Sequence, residues 1–196
     1  MNDARIAQNI ADQLSELPSS SAVSLQMSVD NYLEVLRGTI DLFANRKGMD
    51  TIYVTSTISF DAIKRVLLAL DIDTSRIYFV DCISHAMMGA TSAQYDDHTA
   101  IVESPTMLEN LMLKVEFLLR KSQAANKLVI IDSINSLAIH NNNWILSEFL
   151  HILVSGLRAR EAYTIILSVE EHSTPELTNM VNLVCDQGVR AGKKEA

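Results

Sequence analysis

The sequence predicts an α/β domain with a mostly parallel sheet that helices cover on both faces. Short runs of consecutive apolar residues, typical of strands buried on both sides, recur along the chain. Between them lie longer segments in which apolar residues repeat every three or four positions, as in amphipathic helices. This alternation of strand and helix indicates a three-layer α/β/α fold, and 196 residues suffice for one sizeable core.

The first segment, residues 3–17, is predicted to be a short amphipathic helix that ends at Pro18 and a run of serines. Its apolar residues share one face: Ile6, Ile10, Leu14 and Leu17. This stripe must pack either on its own domain or on another copy of the chain, and both alternatives stay open.

We therefore expect three parts in the chain. An N-terminal helix and linker cover residues 1–21, the main domain covers 22–190, and a tail covers 191–196.

Six strands are predicted in the main domain, each from an apolar run bounded by turn residues. They cover residues 22–27, 51–55, 76–80, 127–132, 163–169 and 183–189. Between them, helices are expected over residues 30–46, from Ser59 onward, over 104–121, over 143–160 and from Thr174 onward.

Capping residues and apolar faces locate these helices. Ser104-Pro105 and Thr174-Pro175 each place a hydroxyl before a proline, which is typical of a helix start. In the helix over 30–46 the residues expected to face inward are Leu33, Leu36, Ile40 and Phe43. In the helix over 143–160 they are Ile145, Phe149, Ile152 and Leu153.

No regular element is predicted for residues 85–98. Possible metal ligands in and just before this stretch are Cys82, His85, Asp96, Asp97 and His98. Their spacing fits no closed structural metal site, so a surface loop is the preferred interpretation.

Composition narrows the classes of function. A net charge of −8 argues against non-specific binding to nucleic acid, which requires a basic surface. Cys82 and Cys185 both lie in or beside apolar runs, so buried free thiols are favoured over a disulfide or a metal pair. No apolar run approaches the length of a membrane span, and we expect a cytoplasmic protein.

Three predicted strands end in an aspartate: Asp81, Asp132 and Asp186. Ligands bind at the carboxyl ends of parallel strands, so these carboxylates could hold magnesium or face a phosphate. For Asp81 and Asp186 we favour a simpler role, as acceptors that cap the next turn or helix. Asp132 is the strongest candidate for a metal-binding residue.

Several strings in a fixed order resemble the RecA-like ATPase superfamily, and within it the KaiC-like branch. The strings are Tyr53-Val54-Thr55-Ser56-Thr57, Leu70-Asp71-Ile72-Asp73, Val129-Ile130-Ile131-Asp132-Ser133 and Val184-Cys185-Asp186-Gln187-Gly188-Val189. The third is similar to the Walker B strand of that family, whose aspartate faces magnesium. The likeness covers about residues 22–190 and implies a RecA-like fold with a nucleotide site.

The chain departs from that family where phosphate would bind. In the family, the first strand leads into the Walker A loop, which is rich in glycine and carries a lysine. Here Met27 leads into Ser28-Val29-Asp30-Asn31, with neither glycine nor lysine and with an aspartate instead. After the second strand, Ser56 and Thr57 stand where the family has glutamates that activate water, and hydroxyl groups are poor general bases.

The sequence therefore predicts a RecA-like domain that has lost catalysis. Its expected role is regulatory or scaffolding, with protein partners such as further copies of itself or a related active ATPase. No cofactor is expected in that role, and Asp132 would then be a structural acceptor. The alternative is a protein that binds ATP or another nucleotide through a different phosphate site, with Asp132 holding the magnesium ion.

Overall fold

The computed structural model describes residues 3–85 and 97–192, and it confirms the predicted parallel sheet. Seven strands form one sheet: β1 (Ala22–Met27), β2 (Asp50–Thr55), β3 (Ile77–Asp81), β4 (Thr99–Ile101), β5 (Lys127–Asp132), β6 (Tyr163–Val169) and β7 (Gln187–Arg190). Their order across the sheet is β4-β3-β2-β5-β6-β1-β7, and every neighbouring pair is parallel.

Helices cover both faces of this sheet. They are α1 (Asp3–Ser15), α2 (Tyr32–Leu36), α3 (Phe60–Ala69), α4 (Leu108–Lys121), α5 (Ile134–His140), α6 (Asn143–Arg158) and α7 (Pro175–Val184). Helix α2 continues directly into a π-helical segment, Arg37–Asn45. One core lies between the sheet and α1 to α3, and a second lies between the sheet and α4 to α7. The three-layer α/β/α architecture is thus confirmed.

The N-terminal helix packs on its own domain. The side chains of Ala7, Ile10, Ala11 and Leu14 are buried, and those of Ile10, Ala11 and Leu14 join the core that the π-helical segment also contributes to. Gly38 of that segment permits the close approach, because a Cβ there would lie 2.8 Å from the carbonyl oxygen of Ala7.

The predicted helix over residues 30–46 consists of three consecutive pieces. A 3₁₀ turn, Val29–Asn31, precedes α2 and the π-helical segment. Leu36, Ile40 and Phe43 are buried as expected, but the prediction for Leu33 is wrong, because its side chain is exposed. The mismatch lies in α2, where the short helix buries Val35 and Leu36 and leaves Leu33 in solvent.

Two predicted boundaries are wrong. Helix α4 begins at Leu108, since Ser104 and Pro105 belong to a turn in which the Ser104 hydroxyl accepts from the Thr106 N–H. Residues 183–184 belong to α7, and the last strand runs over Gln187–Arg190 instead of 183–189. Thr174 caps α7 through the Leu177 N–H at 3.2 Å, as its sequence predicted.

Helix α6 is oriented differently from the prediction. Phe149 and Leu153 are buried, but Ile145 and Ile152 are exposed, so these two assignments are wrong. The buried face is formed instead by Leu146, Phe149, Leu150, Leu153, Val154 and Leu157. The apolar residues of α6 span more than one face, so periodicity alone could not select the packed one.

Strand β4 and helix α5 were not predicted. Both are short, and β4 has only three residues. In the part of the chain that the structure describes, no helix combines the length and apolar character needed to cross a membrane.

We predict that Gly38→Ala destabilises the fold by about 1–3 kcal/mol, because the new methyl group forces α1 away from the π-helical segment. Urea unfolding monitored by circular dichroism measures the change. Gly188→Ala is the control, since a Cβ at that position meets no atom within 4 Å. A Gly38→Ala protein as stable as the native chain would contradict the packing described for α1.

Candidate functional site

The candidate site lies at the carboxyl edge of the sheet, around Asp132. This residue ends β5 and is paired in register with Thr55, the last residue of β2. Alternation along β5 directs Leu128 and Ile130 into the core below α1 to α3, and Asp132 follows on that side. The carboxylate is therefore surrounded by protein, and only 2% of the residue is exposed.

Two tyrosine hydroxyl groups converge on this carboxylate. Tyr32, the first residue of α2, donates to Asp132 Oδ2 at 2.5 Å. Tyr53, from the middle of β2, donates to the same oxygen. The two hydroxyl oxygens are 3.2 Å apart, but each has one proton, so both protons are used by Asp132. The three side chains form a closed buried cluster.

Burial controls the protonation of this cluster. It raises the pKa of Asp132 above the ordinary carboxyl value, while the hydrogen bonds from Tyr32 and Tyr53 lower it in part. Burial and the nearby Asp132 charge also raise the pKa of both tyrosines. The phenols therefore stay protonated near neutral pH and remain available as donors.

The segment after β1 is short and carries an aspartate. Ser28 alone separates β1 from the 3₁₀ turn, and Asp30 lies in that turn. The Val29 N–H is directed at Glu171 Oε1, 3.4 Å away. Tyr32 then begins α2 and extends to Asp132. A side chain of the protein thus lies beside the carboxylate that would face a metal ion.

Ser56 and Thr57 contact the end of β5 and the residue that follows it. The Ser56 hydroxyl lies 3.2 Å from the Asp132 carbonyl oxygen and 3.0 Å from that of Ser133. The Thr57 hydroxyl is 3.4 Å from the Ser133 hydroxyl. These contacts join the ends of β2 and β5, and they involve no carboxylate that could accept a proton from water.

Asp81 has the capping role that its position at a strand end suggested. Its carboxylate accepts from the backbone N–H groups of Phe60, Ile83 and Ser84 at 2.7–2.8 Å, and from the Ser84 hydroxyl at 2.6 Å. These donors satisfy both carboxylate oxygens of a fully buried residue.

Asp186 lies at the opposite edge of the sheet from Asp132. It precedes β7 instead of ending a strand, because the strand begins at Gln187. It accepts from the Ala22 N–H and from Arg158, both at 2.8 Å, and these two donors lower its pKa against a smaller opposing effect of burial. It therefore cannot join a site with Asp132.

The possible metal ligands near residue 85 that the structure describes do not form a metal site. Asp96 lies outside the described residues. Asp97 is exposed and 3.7 Å from Lys121 Nζ, and the His98 ring stacks on Tyr78 with 4.4 Å between ring centroids. Among residues 3–85 and 97–192, no group of three or more His, Cys, Asp or Glu side chains could hold a metal ion.

Both cysteines are free thiols. Cys82 is buried in the core, whereas Cys185 is half-buried. Burial raises the pKa of each thiol to about 12, and Asp81 and Asp186 respectively add to the rise. Neither thiol is an activated nucleophile at neutral pH.

Basic residues are scarce at the carboxyl edge. No Lys or Arg occurs in the described segments that follow strands β1 to β6 and lead to the next helix or strand. Arg190, which ends β7, is the basic residue of this edge within the described range, and Lys193 and Lys194 lie outside it. The edge therefore offers little positive charge to a polyphosphate.

The sequence pointed to Asp132 but missed its two partners. Tyr53 falls inside a recognised strand string, and Tyr32 follows the altered phosphate segment, yet neither was singled out. One signal existed: the strand period places Tyr53 two positions from the end of β2, on the same face as an aspartate that ends a neighbouring strand.

Tyr32→Phe is expected to cost about 1.5–3 kcal/mol of unfolding free energy at neutral pH, because it removes a hydrogen bond to a buried charge. A double-mutant cycle with Asp132→Asn, followed by urea unfolding, isolates the coupling. Tyr163→Phe is the control, since among the described residues the Tyr163 hydroxyl donates to the Leu17 carbonyl oxygen, 3.4 Å away, and to no charged group. Additive effects of Tyr32→Phe and Asp132→Asn would contradict the contact.

The effect of Asp132→Asn on stability should become more favourable as the pH rises. A carboxyl group whose pKa is raised by folding stabilises the protein fully below its unfolded pKa, and this contribution is lost as pH rises through the folded pKa. Asparagine does not titrate, so the variant should gain relative to the native chain as the pH rises above about 4, the ordinary carboxyl pKa of the unfolded chain. Urea unfolding at several pH values measures this.

Asp186→Asn provides the opposite control for that measurement. Its pKa is lowered by folding, so the carboxylate stabilises the protein above its unfolded pKa and loses this effect as pH falls through the folded value. The Asp186→Asn variant should therefore lose stability relative to the native chain as the pH rises. The same trend for both variants would contradict the assigned pKa directions.

Comparison with known proteins supports the fold. No protein-family model and no curated protein matches the chain. Among solved structures, a KaiC-like protein from the hyperthermophilic archaeon Pyrococcus horikoshii OT3 is 16% identical, with a TM-score of 0.61 over 89% of this chain and 72% of that one. The flagellar accessory protein FlaH from Methanocaldococcus jannaschii is 11% identical, with a TM-score of 0.57 over 92% and 76%.

These similarities are at the level of fold, since both identities are low. They agree with the strings that pointed to the KaiC-like branch of the RecA-like ATPases. The chain therefore has the RecA-like fold, and its structure is similar to those of a KaiC-like protein and FlaH.

Proposed function

We propose that the chain is a non-catalytic KaiC-like domain that acts as a regulatory or scaffolding protein by binding other proteins. The observation that carries this proposal is the contact between Tyr32 and Asp132. The residue that begins the helix after β1 donates to the carboxylate that would face a metal ion. The Tyr32 side chain therefore occupies the space beside Asp132, the best candidate for a metal-binding residue.

The electrostatics of the surrounding edge support the same function. Phosphoryl transfer depends on positive charge and backbone N–H groups around the phosphates. Here Asp30 lies in the turn after β1, and the Val29 N–H is directed at Glu171. A bound triphosphate would therefore meet negative charge where it needs compensation.

The described residues beside Asp132 offer no general base, which supports the loss of hydrolysis. Ser56 contacts the carbonyl oxygens of Asp132 and Ser133, Thr57 contacts the Ser133 hydroxyl, and neither presents a carboxylate to water. Asp81, the nearest other strand-end carboxylate, has both oxygens occupied by donors. No described carboxylate at this edge is both unengaged and next to Asp132.

The alternative is a nucleotide-binding protein in which Asp132 holds the magnesium of Mg-ATP. It is favoured by the position of Asp132 at the carboxyl edge of a parallel sheet, where ligands of such folds bind. In this alternative the Tyr32 hydroxyl must leave Asp132 so that a metal ion can approach. The two functions therefore differ in whether the tyrosine cluster opens.

Calorimetric titration with Mg-ATP distinguishes them. We expect no heat of binding at millimolar nucleotide for the native chain, because the cluster stays closed and the edge is acidic. Tyr32→Ala and Asp132→Ala are titrated beside it, with folding checked by circular dichroism. Tight binding by the native chain that Asp132→Ala abolishes would refute the non-catalytic function and support the alternative.

Protein partners are the remaining part of the proposal. They include further copies of this chain and a related active ATPase. Light scattering of the purified chain over a range of concentrations tests self-association, and the next section addresses a partner of different chemistry.

A further inference from the structure

An exposed apolar surface lies at the junction of α5 and α6. Ile139 is 80% exposed and Trp144 is 74% exposed, and Ile145 and Met107 are also exposed. Met107 immediately precedes α4, and this region is held against the junction because Asn141 Nδ2 donates to the Pro105 carbonyl oxygen at 3.0 Å. We call these four residues, Met107, Ile139, Trp144 and Ile145, the junction patch.

The backbone that presents the junction patch is held by hydrogen bonds. Asn141 also donates to the Leu137 carbonyl oxygen at 2.8 Å, and Asn142 caps α6 by accepting from the Trp144 N–H at 2.8 Å. At the other end of α5, Asn135 accepts from the Val169 N–H at 2.8 Å and donates to Ser173. Large apolar side chains on such an ordered surface are typical of a binding site.

Acidic residues occur on the helices next to the junction patch and in the turn that follows β6. Glu148 lies one helical turn after Trp144, and Glu109 lies in the first turn of α4, next to Met107. Glu170 and Glu171 directly follow Val169, which contacts α5 through Asn135. No Lys or Arg occurs in residues 77–113, 128–157 or 161–189, which supply the patch and these acids.

We propose that the junction patch binds a cationic amphipathic helix of a partner protein. The apolar side of that helix would cover Trp144 and Ile139, and its Lys or Arg residues would meet Glu148 and Glu170. Helix-in-surface recognition of this kind takes affinity from apolar contacts and specificity from complementary charge. The inference rests on the proposed function, because it names the kind of partner that this protein would bind.

A second copy of the chain is a less suitable occupant. Several arginines at the opposite edge of the sheet are already paired within the chain. Arg76 contacts Asp50 at 3.1 Å, Arg158 contacts Asp186 at 2.8 Å, and Arg160 contacts Glu116 at 3.0 Å. That edge therefore has less free positive charge to offer an acidic surface.

Trp144 provides the measurement, because it is the single tryptophan of the chain. The probe is a helical peptide of roughly 18 residues with leucine on one face and lysine on the other. Titration of the full chain should shift the Trp144 emission to shorter wavelength as the indole leaves water. A peptide with glutamine in place of lysine should bind about tenfold more weakly. Added salt should lower the affinity for the lysine peptide, because it screens the charges.

Charge-reversal variants locate the binding surface. The double variant Glu148→Lys, Glu170→Lys should bind the lysine peptide about tenfold more weakly, or weaker still. The matched control, Glu16→Lys with Glu161→Lys, changes two exposed acids at the opposite edge and should leave affinity within about twofold. Trp144→Ala, followed by anisotropy of a labelled peptide, should weaken binding by about tenfold.

Three outcomes would overturn the proposal. They are no emission shift with the lysine peptide, equal loss in the two charge-reversal pairs, or equal affinity for the glutamine peptide. A shift of Trp144 emission with protein concentration alone, together with dimers in light scattering, would assign the junction patch to self-association instead.

Failure of this proposal is distinguishable from failure of the proposed function. The peptide titration uses no nucleotide, and the Mg-ATP titration uses no peptide. If the peptide does not bind, the result of the Mg-ATP titration is unchanged. The non-catalytic function would then stand, but with a different kind of protein partner. Tight Mg-ATP binding would refute the non-catalytic function whatever the peptide does.

Discussion

The buried carboxylate of Asp132 is the constraint on which the carboxyl edge depends. A carboxylate removed from water needs donors, and Tyr32 and Tyr53 supply them from α2 and β2. Because the three residues come from separate elements, satisfying one charge fixes the start of α2 against the sheet. The same arrangement places the Tyr32 side chain directly beside the Asp132 carboxylate, so the hydrogen bond that stabilises this edge also covers the strongest candidate for a metal-binding residue.

The sheet could be predicted from the sequence, whereas the tyrosine cluster could not. Buried parallel strands must be nearly continuous in apolar residues, so they are visible locally. The cluster joins residues 79 and 100 positions apart, and nothing local to Tyr32 or Tyr53 distinguishes a phenol that meets a carboxylate from one that packs in a core. Asp132 itself was visible because it ends a strand with a recognisable string.

Helix faces illustrate a second limit on what sequence can predict. Helix α6 has apolar residues on more than one side, and only packing against the sheet decides that Phe149 is buried while Ile145 and Ile152 are not. Short elements are a third limit, since β4 gains its stability from β3 and not from its own three residues. The mistaken inward assignment of Ile145 also concealed part of the exposed surface at the start of α6.

The position of β1 between β6 and β7 determines when the sheet can be completed during folding. β1 pairs only with β6 and β7, and the Asp186 carboxylate accepts from the Ala22 N–H across 164 positions. During synthesis from the ribosome, β2, β3, β4 and β5 can pair among themselves while β1 still waits for its neighbours. One of the earliest strands made is therefore among the last to be paired, and this long sequence separation favours slow completion of that side of the sheet.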